Sequence, residues 1–115
     1  MQMKRIEATI QGSKIAAVSD AINDLVGGFT ILEGNGRGSG ARQEIRSGRG
    51  TGTVTAEYNK VATISTIVED ADVEKVSTAI AGASYTGKGG DGIIVVTSID
   101  SVTNIASKKS GSEAL

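Results

Sequence analysis

The residues best equipped to do chemistry in this sequence form one short run, Thr86-Gly87-Lys88-Gly89-Gly90-Asp91-Gly92. Four of these seven are glycine, so backbone N–H groups can turn toward one point and a ligand can approach the main chain closely, while Lys88 adds a cation. Phosphate is the ligand such a loop suits. Counted from Gly82 the spacing reads G-x-x-x-x-G-K. However, Gly89 stands where a Walker A loop needs Ser or Thr for magnesium, and the order around it is helix, loop, strand rather than strand, loop, helix. The P-loop reading fails on both counts. Without any ligand, the same residues make a tight turn feeding a buried strand.

A second segment, Gly34 to Gly52, has a different character. Seven of its nineteen residues are glycine, four are arginine (Arg37, Arg42, Arg46, Arg49), and Glu44 is its only acid. No core can be built from it. Its plain reading is a flexible loop between two strands of a hairpin, yet loops of this length in a small domain are usually functional or disordered. A grip on RNA or single-stranded DNA is one use of such a loop. It offers no aromatic residue for base stacking, and the whole chain carries 12 basic against 13 acidic residues, so the electrostatic footprint of a nucleic-acid binder is missing.

The remaining composition narrows the chemistry further. With 115 residues the expectation is one domain spanning 1–115. Cysteine and histidine are absent, which removes disulfides, thiolate nucleophiles, His-centred triads and His- or Cys-based metal sites together; no catalytic residue and no metal site is expected. Two tyrosines and one phenylalanine are the only aromatics, so the core must be Ile, Val, Leu and Ala. No segment approaches the ~20 apolar residues of a membrane span, and a cytoplasmic protein is expected.

These segments must be positioned by regular elements. Ile6, Ala8 and Ile10 alternate with Arg5, Glu7 and Thr9, the period of a half-buried strand. Ser13 is placed to cap a helix over about 14–26, with Ile15, Val18, Ile22 and Leu25 on one face and Gly27-Gly28 as its stop. Phe29 to Glu33 reads as a second strand. Thr53 to Tyr58 and Val61 to Val68 read as one long strand or two short ones. Asp70 or Asp72 starts a second helix carrying Val73, Val76, Ile80 and Ala83. After the glycine loop, Ile93 to Val96 is a continuous apolar run, expected to be a strand covered on both faces. Ser98 is expected to cap a short helix through Ile105, and about 107–115 to be a polar tail. The resulting fold class is α+β, a ferredoxin-like βαββαβ sandwich with an antiparallel sheet.

With those elements in place, the sequence resembles the PII signal-transduction family over nearly its whole length. The likeness is carried by Met3-Lys4-Arg5-Ile6-Glu7-Ala8-Thr9-Ile10, by Gly34-Asn35-Gly36-Arg37-Gly38, by Lys60-Val61, by the ending from Lys109 to Leu115, and above all by the run from Thr86 to Gly92. The resemblance implies a homotrimer that binds adenine nucleotides in clefts between subunits and engages a target through a long T-loop, here about 34–58. It places Gly36, Arg37 and Gly38 beside the phosphates and Gly87, Lys88, Gly89, Gly90, Asp91 and Gly92 around them. Thr30 and the strand near Thr66 would meet the adenine from the neighbouring chain, and Lys60 keeps the position of a lysine used in the family's effector site.

Departures from the family pattern shape the function expected. The lysine that follows Gly-Asp-Gly and reaches the terminal phosphate is Ile93 here, and the two arginines near the family's C-terminus fall on Asn104 and Ala106; a two-residue gap would let Lys109 restore one, with Lys108 beside it. Gly38 replaces the glutamine that helps to hold magnesium and 2-oxoglutarate, and the tyrosine modified in the T-loop has no counterpart, since Tyr58 lies at the loop's far end. The resemblance is therefore to a divergent PII-like branch, some of whose members accompany inorganic-carbon transport or carboxysome genes. It implies a non-enzymatic sensor of ADP or AMP, with ATP a weaker choice, whose Arg42, Arg46 and Arg49 close over bicarbonate or meet a membrane transporter. The alternatives are a nitrogen-regulatory PII protein reading ATP and 2-oxoglutarate, an RNA-binding module using the arginine loop, and an enzyme hydrolysing a nucleotide phosphate, for which no general base is evident.

Overall fold

Two long strands with apolar residues at every second position build the centre of the molecule. The computed structural model describes residues 2–38, 44–46 and 52–115. Strand β1, Met3–Gln11, pairs antiparallel with β5, Asn59–Glu69, so that Ile6 lies opposite Thr66, Ala8 opposite Ile64 and Ile10 opposite Ala62. All six residues are buried on one face of the sheet. Strand β2, Thr30–Gly36, adds to the free edge of β5, and β6, Gly92–Ile99, to the free edge of β1. The four-stranded sheet runs β2-β5-β1-β6, antiparallel throughout.

Helices α1, Ile15–Ile22, and α2, Val73–Ser84, close the buried face, each entered through a 3-10 turn, Gly12–Lys14 and Asp70–Asp72 respectively. Apolar residues four apart put one stripe of each helix on the sheet: Val18 and Ile22 from α1, Val76 and Ile80 from α2, all with no exposed surface. The order βαββαβ and the antiparallel sheet are those of the ferredoxin-like α+β sandwich. Between β2 and β5 a small antiparallel ribbon pairs β3, Glu44–Arg46, with β4, Thr53–Thr55. Among the described residues no helix is long and apolar enough to cross a membrane.

Several elements differ from the sequence reading. Helix α1 stops at Ile22 rather than Val26, and the N–H groups of Leu25 and Val26 both return to the Ile22 carbonyl at 2.9 and 3.2 Å; Asn23 and Asp24 are weak helix formers and end it before the glycines are reached. Ser13 lies inside the 3-10 turn and caps nothing. Strand β2 continues through Gly34, Asn35 and Gly36, because Val61, Lys60 and Asn59 supply a partner for each. The expected covering of Ile93 to Val96 on both faces is not found: β6 is an edge strand, with Ile93 65%, Val95 42% and Val96 42% exposed in the single chain. No helix spans Ser98 to Ile105; Thr103 instead bridges to Ser110, and Ile105 is 95% exposed. The expected polar tail is folded, ending in a 3-10 turn, Gly111–Ala114, with Ala114 buried.

Removing side-chain volume from the centre of this layer leaves a cavity that the sheet and helices cannot both collapse into. Ile64→Ala is expected to cost about 2–5 kcal/mol in denaturant unfolding, whereas Ile105→Ala should stay within about 0.5 kcal/mol. Equal effects at the two positions would contradict the packing described.

Candidate functional site

The last residue of β1 and the first of β6 fix where the glycine loop sits. Gly92 opens β6 opposite Ile10, with φ of 116°, and a Cβ there would lie 2.0 Å from the Thr9 carbonyl oxygen. Only glycine fits. Gly87 and Gly90 also have left-handed backbones, φ 83° and 94°, and the chain between them folds back on itself.

The Asp91 carboxylate organises this turn. It accepts the N–H of Thr86 at 2.7 Å and of Gly87 at 3.2 Å on one oxygen, and the Thr86 hydroxyl on the other. Gln11 Nε2, on the end of β1, donates to the same second oxygen at 3.4 Å and to the Gly90 carbonyl at 3.3 Å. Lys88 N–H donates to the Thr86 hydroxyl oxygen at 3.2 Å. The Thr86 hydroxyl, then the N–H groups of Thr86 and Gly87, with Lys14 nearby, hold the Asp91 carboxyl below the usual carboxylate range against a partial desolvation. No acceptor among the described residues takes the N–H of Gly89 or Gly90. The loop thus turns the amides of Thr86 and Gly87 inward to its own carboxylate and that of Lys88 to the Thr86 hydroxyl.

Gly89 and Gly90 border a cleft of about 630 Å³. It is also lined by the base of the long excursion: Gly36 at the end of β2 with Arg37 and Gly38 after it, and Asn59, Lys60 and Val61 at the start of β5. Arg37, Lys60 and Lys88 bring three cations to one space, and Ile93 presents an exposed apolar side chain beside them. Arg37 also fastens the excursion. Its Nε and Nη2 both donate to the Glu57 carbonyl, at 2.9 and 2.5 Å, and its guanidinium lies 5.1 Å from the centre of the Tyr58 ring.

Of the residues the sequence singled out, Gly36, Arg37, Gly38, Lys60, Lys88, Gly89, Gly90, Asp91 and Gly92 meet at this cleft. Gly87 serves the loop's internal bonding. Thr30 and Thr66 lie apart, in a second pocket of about 460 Å³ that shares no residue with the first. There Thr66 is buried, and its hydroxyl donates to the Gly28 carbonyl at 2.6 Å. Lys109 lines neither pocket. Arg42 and Arg49 lie outside the described residues, and Arg46 is placed only by its backbone in β3. The parts played by two residues were not legible beforehand. Gln11 follows an alternating strand and carries no signal of its own; Asn104 was marked only as the place of a missing family arginine, in a stretch read as helix, whereas its side-chain oxygen accepts the N–H groups of Ala106 and Ser107, each at 3.0 Å.

The chain is thus a ferredoxin-like domain in which the glycine loop meets the base of a long excursion at a cleft lined by Arg37, Lys60 and Lys88. The family model for the nitrogen regulatory protein P-II matches residues 3–109. The P-II protein of Azospirillum brasilense is 34% identical over 114 residues, covering 98% of this chain and all of that one; that of Pyropia yezoensis is 35% identical over 115 residues with the same coverage. The chain belongs to the P-II family of regulatory proteins. Its fold matches a structure of Arabidopsis thaliana PII bound to citrate, with TM-score 0.79 at 22% identity over 99% of this chain and 92% of that one. It also matches Bacillus subtilis GlnK, with TM-score 0.77 at 21% identity over the full length of both.

Because the Asp91 pKa is lower in the folded than in the unfolded chain, where it is about 3.9, the unfolded chain binds more protons in acid. The carboxylate's contribution is fully present above that value and is lost as pH falls through the folded pKa. The NMR amide resonances of Thr86 and Gly87 should therefore hold steady from about pH 5 to 8 and move only near or below pH 4. Asp91→Asn, which turns an amide NH₂ or a single oxygen toward two N–H donors, should produce the shifted resonances already at pH 7. Unchanged resonances in that variant would remove Asp91 from its organising role.

Proposed function

We propose that this P-II family chain is a non-enzymatic regulatory homotrimer that senses adenine nucleotides, accepts ADP or AMP at least as well as ATP, and signals through the excursion at 34–58. The observation that carries the reading is the joining of Lys88–Gly92 and Gly36–Gly38 at one cationic cleft. A phosphate chain in that cleft touches the excursion's base and the glycine loop at once. The preference for fewer phosphates is supported by Ile93, an apolar wall where a cation would reach a third phosphate, and by Asn104 and Ala106, which carry no charge. The exposed apolar residues of β6 support assembly, since an edge strand with such a surface needs covering. The target proposed is a transporter for an inorganic anion such as bicarbonate, met by Arg42, Arg46 and Arg49 in a cytoplasmic setting.

The relatives are named nitrogen regulatory proteins, which favours a second reading, a nitrogen regulator, and in that reading the effectors would be ATP and 2-oxoglutarate. Gly38 weakens it, because glycine offers no side-chain oxygen to a magnesium ion of strict octahedral geometry.

Calorimetry on protein shown by light scattering to be trimeric tests both readings. ADP or AMP is expected to bind at least as tightly as ATP, and 2-oxoglutarate is expected not to bind even with magnesium and ATP. A monomer at micromolar concentration, or ATP tighter by more than about tenfold, ~1.4 kcal/mol, overturns the first reading; ATP-dependent binding of 2-oxoglutarate establishes the second. Binding of RNA with steep salt dependence in place of nucleotide would move the function to the arginine segment alone.

A further inference from the structure

The corner that follows β1 touches both segments that line the cationic cleft. On the side of the glycine loop, Gln11 Nε2 donates to the Gly90 carbonyl at 3.3 Å and to the Asp91 carboxylate at 3.4 Å. Both partners can only accept: one is a carbonyl, and the other is a carboxylate kept ionised by the donors of its own loop. The position therefore calls for a side-chain donor long enough to reach across from β1, and a neutral amide supplies it.

On the side of the excursion, the same end of β1 lies against the start of β5, with Gln11 opposite Val61. Gly12 continues that contact, since a Cβ there would stand 3.3 Å from the Lys60 carbonyl oxygen and 3.5 Å from the Lys60 Cβ. Val61 in turn packs on Gly36, where a Cβ would stand 3.3 Å from a Val61 methyl group, and Gly36 and Asn35 pair with Asn59 and Lys60. One path of contact thus runs from Gly90 and Asp91 through Gln11 and Val61 to Gly36. Its β5 part is strand pairing and close packing, which the sheet holds fixed. Its link to the glycine loop is one side chain.

We propose that Gln11 is a positioning residue that fixes the span between the glycine loop and the base of the excursion, and that this span determines the length of anion the cleft holds best. The inference rests on the proposed role of the cleft as a site for a phosphate chain. An anion long enough to touch both segments needs them at one separation, whereas a short anion on either segment alone does not. Asp91 shapes the turn, and Gln11 sets where the finished turn stands.

Gln11→Met keeps the reach of the side chain and removes both donated bonds. In the full chain, calorimetric affinity for inorganic pyrophosphate should fall about tenfold while that for orthophosphate stays within about twofold. The Thr86 and Gly87 amides should keep their protection from hydrogen exchange, because their bonds to Asp91 do not involve Gln11. Gly12→Ala changes the span from the other end. The added Cβ makes Lys60 give way by a few tenths of an ångström and leaves the loop's own bonds intact, so it too should weaken pyrophosphate more than orthophosphate. Unchanged pyrophosphate affinity in either variant, an equal loss for the two anions, or loss of Thr86 and Gly87 protection in Gln11→Met overturns the proposal, and the nucleotide function stands if the wild-type chain binds ADP. A wild-type chain that binds neither ADP nor pyrophosphate overturns both.

Discussion

One carboxylate determines what the glycine loop can offer. Six residues of chain between Thr86 and Asp91 could adopt many conformations, four of the seven residues to Gly92 being glycine, and fixing each costs roughly 1–2 kcal/mol. Asp91 offsets that cost by drawing the Thr86 and Gly87 amides and the Thr86 hydroxyl onto its two oxygens. The turn then leaves Gly89 and Gly90 pointing their N–H groups elsewhere, and Gln11 ties the assembly to the end of β1. A carboxylate bonded in this way acts as the internal support of the turn. Its negative charge would repel a phosphate if it faced the cleft unpaired, and its bonds to the loop's own donors reduce that repulsion.

The second constraint is at the base of the excursion. Arg37 is covalently part of the strand that leaves the sheet, and its guanidinium holds the Glu57 carbonyl and stacks on Tyr58 in the segment that returns. Because Arg37 also lines the cleft, an anion entering there competes with Glu57 for the same donors. A guanidinium has five donors in a fixed plane, so it can serve both only in particular geometries. Sheet, loop and excursion are thus joined at two side chains, Asp91 and Arg37, which line one space.

Much of this was legible beforehand, and the parts that were not have physical reasons. Alternation at Ile6, Ala8 and Ile10 identified the central strand, since a period of two admits only one buried face. Helical spacing at Val18, Ile22, Val76 and Ile80 identified the stripes that pack on it, and the glycine count marked the cleft. The apolar run at Ile93 misled because hydrophobicity along a strand reports that a surface is to be covered without saying by what; in one chain it is an edge. Helix ends were misplaced at Leu25 and Val26 because glycine was taken as the stop when Asn23 and Asp24 had already ended the helix. Asp91 was read as one more lining residue, since nothing in its spacing tells whether a carboxylate faces a ligand or its own backbone. The role of Asn104 was hidden for a similar reason: it bonds to residues two, three and ten positions along, and the helix expected from Ser98 through Ile105 obscured a turn.

The division of labour within the glycine loop can be tested directly by titrating isotopically labelled protein with ADP and following individual glycine amides by NMR. The Gly89 and Gly90 N–H resonances should shift most and become protected from exchange, while Gly87, already bonded to Asp91, should move little. A response led by Gly87, or no response in the loop while ADP binds, would contradict the assignment of this turn as the anion cradle.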